Sequence, residues 1–334
     1  MALPRIGLHA DVDLAGRRML ARTMLVVVLG PISTPVTADP TAEPEDTPMD
    51  LATVTRTVQV GGYDFPVVDH GEGPAVLLLH GFPDSRQLWR HQVPALAEAG
   101  FRVLAPDLRG FGDAPKPEGV ESYALPLVID DVLGILDALD VEQAHVVAHD
   151  WGAVVAWLLV SLHPDRAASL TALTVGCPGN SGQRTIEQLE KAWYLFFFHN
   201  EGVAEEWLRR DDWSGLRMWL QGRGDVERYL ADLSRPGALT AALNWYRANA
   251  PAESLLVLPD LPPIRVPVLG VSADGDAYLT EANLRNSEEK VEGPWRYVRM
   301  AGVGHWLMLD RPGELNRLLI EFLGGLETPA DGGD

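Results

Sequence analysis

The sequence predicts an α/β protein: a mostly parallel, twisted sheet flanked by helices and interrupted by an inserted helical cap. Three observations predict it. PAVLLLH (74–80), FRVLAPD (101–107), AHVVAHD (144–150), LTALTVG (170–176) and VPVLGVSAD (266–274) are continuous apolar runs, as in strands buried on both faces. Helical segments, including ALPLVIDDVLGILDAL and AVVAWLLVSL, fall between several of them, and that alternation implies a parallel sheet covered on both sides. Between Pro178 and Pro262 the alternation stops. There the chain reads as helices rich in large aromatics, among them Trp193, Tyr194, Phe198, Trp207, Trp219, Trp245 and Tyr246.

Taken in order, the elements divide the chain into three parts. Residues 1–50 read as a disordered leader or an export signal. Residues 51–177 and 263–334 form the α/β core, and 178–262 form the helical cap. TRTVQV and DFPVVDH flank Gly61-Gly62, which reads as a β-hairpin. RPGELNRLLIEFLGGL is an amphipathic helix near the end of the chain that covers one face of the sheet. The leader carries Arg17-Arg18 before MLVVVLGPI, and VTA at 36–38 resembles a small-residue cleavage site. Set against this twin-arginine-like reading are Pro31, which breaks the apolar run, and the acidic Asp11 and Asp13. A start near Met49 accounts for the same features, so the expectation is a cytoplasmic protein, with export as the alternative.

Composition narrows the function classes. With 334 residues, 46% hydrophobic and 22% charged, the chain can bury a sizeable core. A formal net charge of −20 argues against nucleic acid bound through a basic face. The leader's apolar run is too short to span a bilayer, so no stable membrane insertion is expected. Cys177 is the sole cysteine; it reads as a small buried filler, and no clustered ligand set for a metal stands near it. No metal and no cofactor are expected, and a homo-oligomer is compatible with the sequence.

Chemistry concentrates at VVAHDWGA (146–153). A buried strand enters a helix through a turn with Asp150 at its tip and small residues, Ala148 and Gly152, around it. That is the form of a nucleophile elbow. The adjoining helix N-terminus favours an ionised carboxylate, although an Asp that merely caps a helix has the same local sequence. HGFPDS (80–85) follows a buried strand, where the Phe82 N–H joins the Trp151 N–H as donors for an oxyanion. GVGHW (302–306) puts His305 on a glycine-flanked loop after the strand WRYVRM, and ADGDAYL (273–279) supplies an acid. Asp276 is chosen over Asp274 because the loop must step past the strand end to reach the histidine. The chain order is then nucleophile, acid, histidine. Arg109, His80 and His149 read as scaffold.

From about residue 53 to 326 the chain resembles the Asp-nucleophile epoxide hydrolases of the α/β-hydrolase fold. HGFPDSRQLWRHQ, DLRGFGDAPKP, AHDWGA and GVGHW resemble that family's motifs in its order. The resemblance implies a small apolar epoxide and water as substrates, and a vicinal diol as product formed through an ester on Asp150. KAWYLFFFHNEGVAE and ALNWYRAN resemble the family's two tyrosine segments, placing epoxide-oxygen donors on Tyr194 and Tyr246, with Tyr229 as the rival. It also implies a cis peptide at Phe82-Pro83. Haloalkane and haloacid dehalogenases share the scaffold and remain the alternative. Phe82 has no side-chain donor for halide, however, and Trp151 and Val154 stand where an arginine clamp for a carboxylate substrate is expected. A non-catalytic ligand-binding relative is the remaining reading, disfavoured by the intact Asp150 and His305.

Overall fold

The computed structural model describes residues 48–250 and 261–326. The leader features at residues 17–38 lie outside the described residues. Eight strands form one sheet: β1 (Thr55–Val60), β2 (Tyr63–His70), β3 (Ala75–Leu79), β4 (Arg102–Pro106), β5 (Ala144–His149), β6 (Ala167–Leu173), β7 (Val268–Ala273) and β8 (Trp295–Met300). Their order is β1-β2-β4-β3-β5-β6-β7-β8. β1 and β2 pair antiparallel through the Gly61-Gly62 turn, with Val60 opposite Tyr63, and β2 pairs antiparallel with β4. Every later pairing is parallel. The central strands are the most apolar for this reason: β5 and β7 are buried at all six positions, because helices cover both faces.

Around the sheet lie α1 (Gln92–Glu98), α2 (Leu125–Ala138), α3 (Trp151–Leu162) and, at the end of the chain, α9 (Glu281–Arg285), α10 (Leu307–Asp310) and α11 (Pro312–Gly324). α2 starts with proline in its first turn and buries Val128, Ile129, Val132, Ile135 and Leu136, a stripe at helical spacing. α11 repeats the pattern with Leu315, Leu319, Phe322 and Leu323. α3 is different. It is buried on nearly every side, because it runs down from the elbow between the sheet and its neighbours.

Between β6 and β7 the chain makes α4 (Ile186–Lys191), α5 (Trp193–Phe198), α6 (Val203–Leu220), α7 (Val226–Leu233) and α8 (Ala238–Asn249), with no strand among the described residues. The aromatics packed into this insertion forecast its helical character and its burial. Tyr194, Phe198, Tyr229, Trp245 and Tyr246 are all buried. Among the described residues, no helix is long and apolar enough to cross a membrane. Cys177 is fully buried, and burial pushes its thiol up to about 12.

Candidate active site

Parallel strands deliver their loops to one edge of the sheet, so the carboxyl ends of β3, β5, β7 and β8 converge. Phe82 lies three residues past β3, Asp150 one past β5, Asp276 three past β7 and His305 five past β8. Residues separated by up to 223 positions in sequence thus meet through strand order alone.

Asp150 stands at φ 52°, ψ −125°, a conformation that costs a non-glycine residue about 1–3 kcal/mol and persists only where its surroundings enforce it. Gly152 shows one source of that enforcement. A Cβ there would lie 2.3 Å from the Leu79 carbonyl oxygen, so the start of α3 presses against the end of β3 where no side chain fits. Asp150 makes no side-chain cap hydrogen bond to α3, which separates it from an ordinary helix-capping Asp. Its Oδ1 accepts instead from the Phe82 N–H at 2.7 Å, across the loop after β3, and the Trp151 N–H supports the same carboxylate. The Phe82-Pro83 peptide is cis.

His305 links the two acids. Its Nδ1–H donates to Asp276 Oδ2 at 2.8 Å, and its Nε2 faces Asp150 Oδ2 at 3.6 Å. Asp276 is fixed in turn by the Tyr278 and Leu279 N–H groups, which donate to its Oδ1 at 2.8 and 3.0 Å. Asp274 points elsewhere: its Oδ1 accepts from the Gly302 N–H. His149 clamps the histidine loop from below, with Nε2 2.9 Å from the His305 carbonyl oxygen. Because a carbonyl only accepts, that nitrogen carries the proton. Burial, then the neighbouring His305, pushes His149 down to about 3, so it stays neutral.

Charge reinforces the geometry. Burial alone disfavours ionised side chains, yet the imidazolium and the N–H donors hold Asp150 and Asp276 below the ordinary carboxylate range. Burial likewise opposes a charged His305, but the Asp276 and Asp150 carboxylates outweigh it and raise the imidazole to about 10. The resting site is therefore an imidazolium between two carboxylates.

Above it, Tyr246 packs its ring 5.3 Å from Phe82, 5.2 Å from Trp151 and 6.0 Å from Tyr194. Burial, followed by the Asp150 charge, holds both phenols protonated, well above their usual range. Tyr229 is set apart, its ring 5.7 Å from that of Trp306. Arg109 forks onto Asp131 at 2.6 and 2.7 Å, and His80 is held between the Gly81 carbonyl and the Leu108 N–H; both serve the scaffold.

Two neighbours escaped sequence reading. Tyr278 places its ring 5.1 Å from His305 and 5.7 Å from Tyr194, and Trp219 lies 5.4 Å from Tyr194. Tyr278 had a usable signal, two positions past the chosen acid. Trp219 had none, being one aromatic among many in the insertion.

Comparison with known proteins identifies the family. The family model for the alpha/beta hydrolase fold matches residues 74–312. Epoxide hydrolase A of Mycobacterium tuberculosis is 34% identical over 321 residues, covering 83% of this chain and 99% of the relative. Epoxide hydrolase B of the same species is 32% identical, covering 76% and 92%. Among solved structures, epoxide hydrolase A from Mycobacterium thermoresistibile superposes with a TM-score of 0.69 at 30% identity, covering 82% of this chain and 99% of that one. The Bacillus megaterium epoxide hydrolase bound to an inhibitor gives 0.74 at 27%, covering 80% and 100%. On the elbow, the fold and these relatives together, the chain belongs to the epoxide hydrolases of the α/β-hydrolase fold.

Proposed function

We propose that this protein hydrolyses an epoxide to a vicinal diol in two steps, with Asp150 as nucleophile. The observation that carries the reading is the constellation around Asp150: a carboxylate on a strained turn, backed by the Phe82 N–H at 2.7 Å, with His305 Nε2 3.6 Å from its other oxygen. A carboxylate suits attack on an alkyl carbon, because the ester it forms is open to base-catalysed hydrolysis. A serine in its place would leave a stable ether.

In the first step Asp150 Oδ2 attacks an epoxide carbon while Tyr194 and Tyr246 donate to the departing oxygen. Oδ1, which accepts from the Phe82 N–H, becomes the carbonyl oxygen of the ester. In the second step His305 takes a proton from water, which attacks the ester carbon, and the Phe82 and Trp151 N–H groups receive the oxyanion. Its collapse breaks the bond between that carbon and Oδ2, which leaves as a hydroxyl of the diol with the proton from His305 and restores the carboxylate. Alkylation also readies the base. A histidine raised to about 10 is protonated at neutral pH, and esterifying Asp150 removes one of the two charges that hold it there. The imidazole pKa falls, its proton neutralises the alkoxide left by ring opening, and its Nε2 becomes a working base when it is needed.

The helical segment 178–262 acts in this reading as a cap over a core made of 51–177 and 263–334, with cytoplasmic localisation as the simplest assignment. The dehalogenase reading has weaker support, since the buried, protonated tyrosine pair suits an oxygen leaving group. A panel of alkyl and aryl epoxides beside haloalkanes, assayed for diol and halide, tests it. Diol without halide is expected; halide without diol would overturn the reading.

A further inference from the structure

The site around Asp150 is walled by aromatic rings, and one of them is placed unlike the rest. Trp219 sits with its ring 5.6 Å from Phe82, 5.4 Å from Tyr194, 5.6 Å from Phe198 and 4.9 Å from Tyr278. Tyr194, Phe198 and Tyr278 are buried, whereas Trp219 is half-buried. Its outer side lines a cleft of about 450 Å³, shared with Lys191, Trp193, Trp207, Met218 and Tyr278. Trp219 therefore touches the ring of aromatics over Asp150 on one side and, on the other, an open cleft whose lining mixes aromatics with Lys191, Gln221 and Arg223.

The backbone that carries it is unusual too. α6 is broken at Arg210–Trp213, where Asp211, Asp212 and Trp213 take φ values of 46°, 54° and 65° in succession. Three consecutive L-residues in the left-handed region are unfavourable. The break folds the Trp219-bearing half of α6 back on the half that bears Trp207. Gly215 permits this, since a Cβ there would lie 2.1 Å from the Trp207 carbonyl oxygen. An unbroken helix would carry Trp219 along a straight course, away from this return packing.

We propose that Trp219 is the specificity-determining residue of this site, closing the aromatic wall over Asp150 off from the outer cleft so that epoxides with compact substituents are preferred. The inference rests on the epoxide-hydrolase reading and adds the class of substrate. An epoxide held at Asp150 must send its substituent along the aromatic wall, and an extended arm meets the Trp219 indole before it reaches the cleft. A smaller side chain at 219 would open the aromatic wall into the cleft, where Trp193, Trp207 and Tyr278 offer an aryl arm stacking surface. Long aryl arms would then be buried where they are now excluded.

The test is a graded series, Trp219→Phe, Trp219→Leu and Trp219→Ala, assayed for diol with phenyl glycidyl ether and with its biphenyl analogue. The kcat/KM ratio, biphenyl over phenyl, is expected to climb as volume is removed, reaching about tenfold or more above the starting protein for Trp219→Ala, the scale of small changes in an apolar pocket. If Trp219→Ala does not fold, the Phe and Leu steps must still show the rise. A ratio that stays within about twofold through the series, with both substrates losing activity together, would make Trp219 a packing residue and overturn the inference. Diol formation by the unaltered protein separates the two failures. No diol from either epoxide defeats the underlying reading, whereas diol with a flat ratio defeats only the role of Trp219.

Discussion

The two sides of this site are held by different forces. On the sheet side, Asp150, Asp276 and His305 are fixed by directional hydrogen bonds from named donors, most of them backbone N–H groups at strand ends. In the helical insertion, Tyr194 and Tyr246 are positioned by ring packing against Phe82, Trp151, Phe198 and Tyr278. Hydrogen bonds fix a group to a few tenths of an ångström; aromatic packing fixes an orientation and a dielectric. The sheet side thus suits covalent chemistry, which tolerates little misplacement. The insertion surrounds Tyr194 and Tyr246 with a dry aromatic wall that keeps both phenols protonated.

If this contrast is right, changes on the sheet side cost more, and they cost a different step. Asp150→Asn removes the nucleophile and should abolish diol formation and ester formation alike, a loss of roughly 10⁴-fold or more; quenched-flow measurement of bound substrate is the check. Asp276→Asn leaves ring opening largely intact and slows ester hydrolysis by as much as about 10⁴-fold, because the imidazole loses the partner that sets its tautomer. Single-turnover kinetics that show both steps slowed equally would break the contrast.

On the insertion side, Tyr194→Phe or Tyr246→Phe should slow ring opening by about 10²-fold each, the scale for losing one transition-state donor. Ester hydrolysis measured after rapid alkylation should barely change. Tyr229→Phe is the control, expected to leave ring opening near its starting rate. A damaging Tyr229→Phe beside a silent Tyr246→Phe would reassign the pair.

The smallest effect is on stability. His305 is raised from 6.5 to about 10 in the folded state, so its contribution is fully present below about 6.5 and fades as pH rises through about 10. The thermal midpoint should therefore decline more steeply between about pH 8 and pH 10 in the unaltered protein than in Asp276→Asn, where the imidazolium has lost a charged partner. Parallel declines in the two proteins would contradict the assigned ion cluster.

Sequence reading reached the sheet side almost completely, and the reason is physical. Apolar strands, a small-residue turn and a fixed chain order leave local traces, so the eight strands and the convergence of Asp150, Asp276 and His305 were all forecast. The φ of 52° at Asp150 fits the small-residue turn, whereas the cis Phe82-Pro83 bond was implied by the family resemblance. The insertion left weaker traces. Its aromatics announced helices and burial, and family resemblance singled out Tyr194 and Tyr246. Periodicity, however, gives no warning of the break at Arg210–Trp213, which arises from packing between two halves of one helix. Trp219 owes its position to that break and so could not be singled out from sequence.

The central claim is that Asp150 and His305 divide the work between two chemical steps, and intact-protein mass spectrometry of His305→Gln tests it most directly. Ring opening needs no base, since the carboxylate is already ionised, whereas the attacking water must lose a proton. The variant should open one epoxide and stall, gaining the mass of a whole substrate molecule on the peptide VVAHDWGA. Normal turnover by His305→Gln, or an adduct on any residue other than Asp150, would contradict the account.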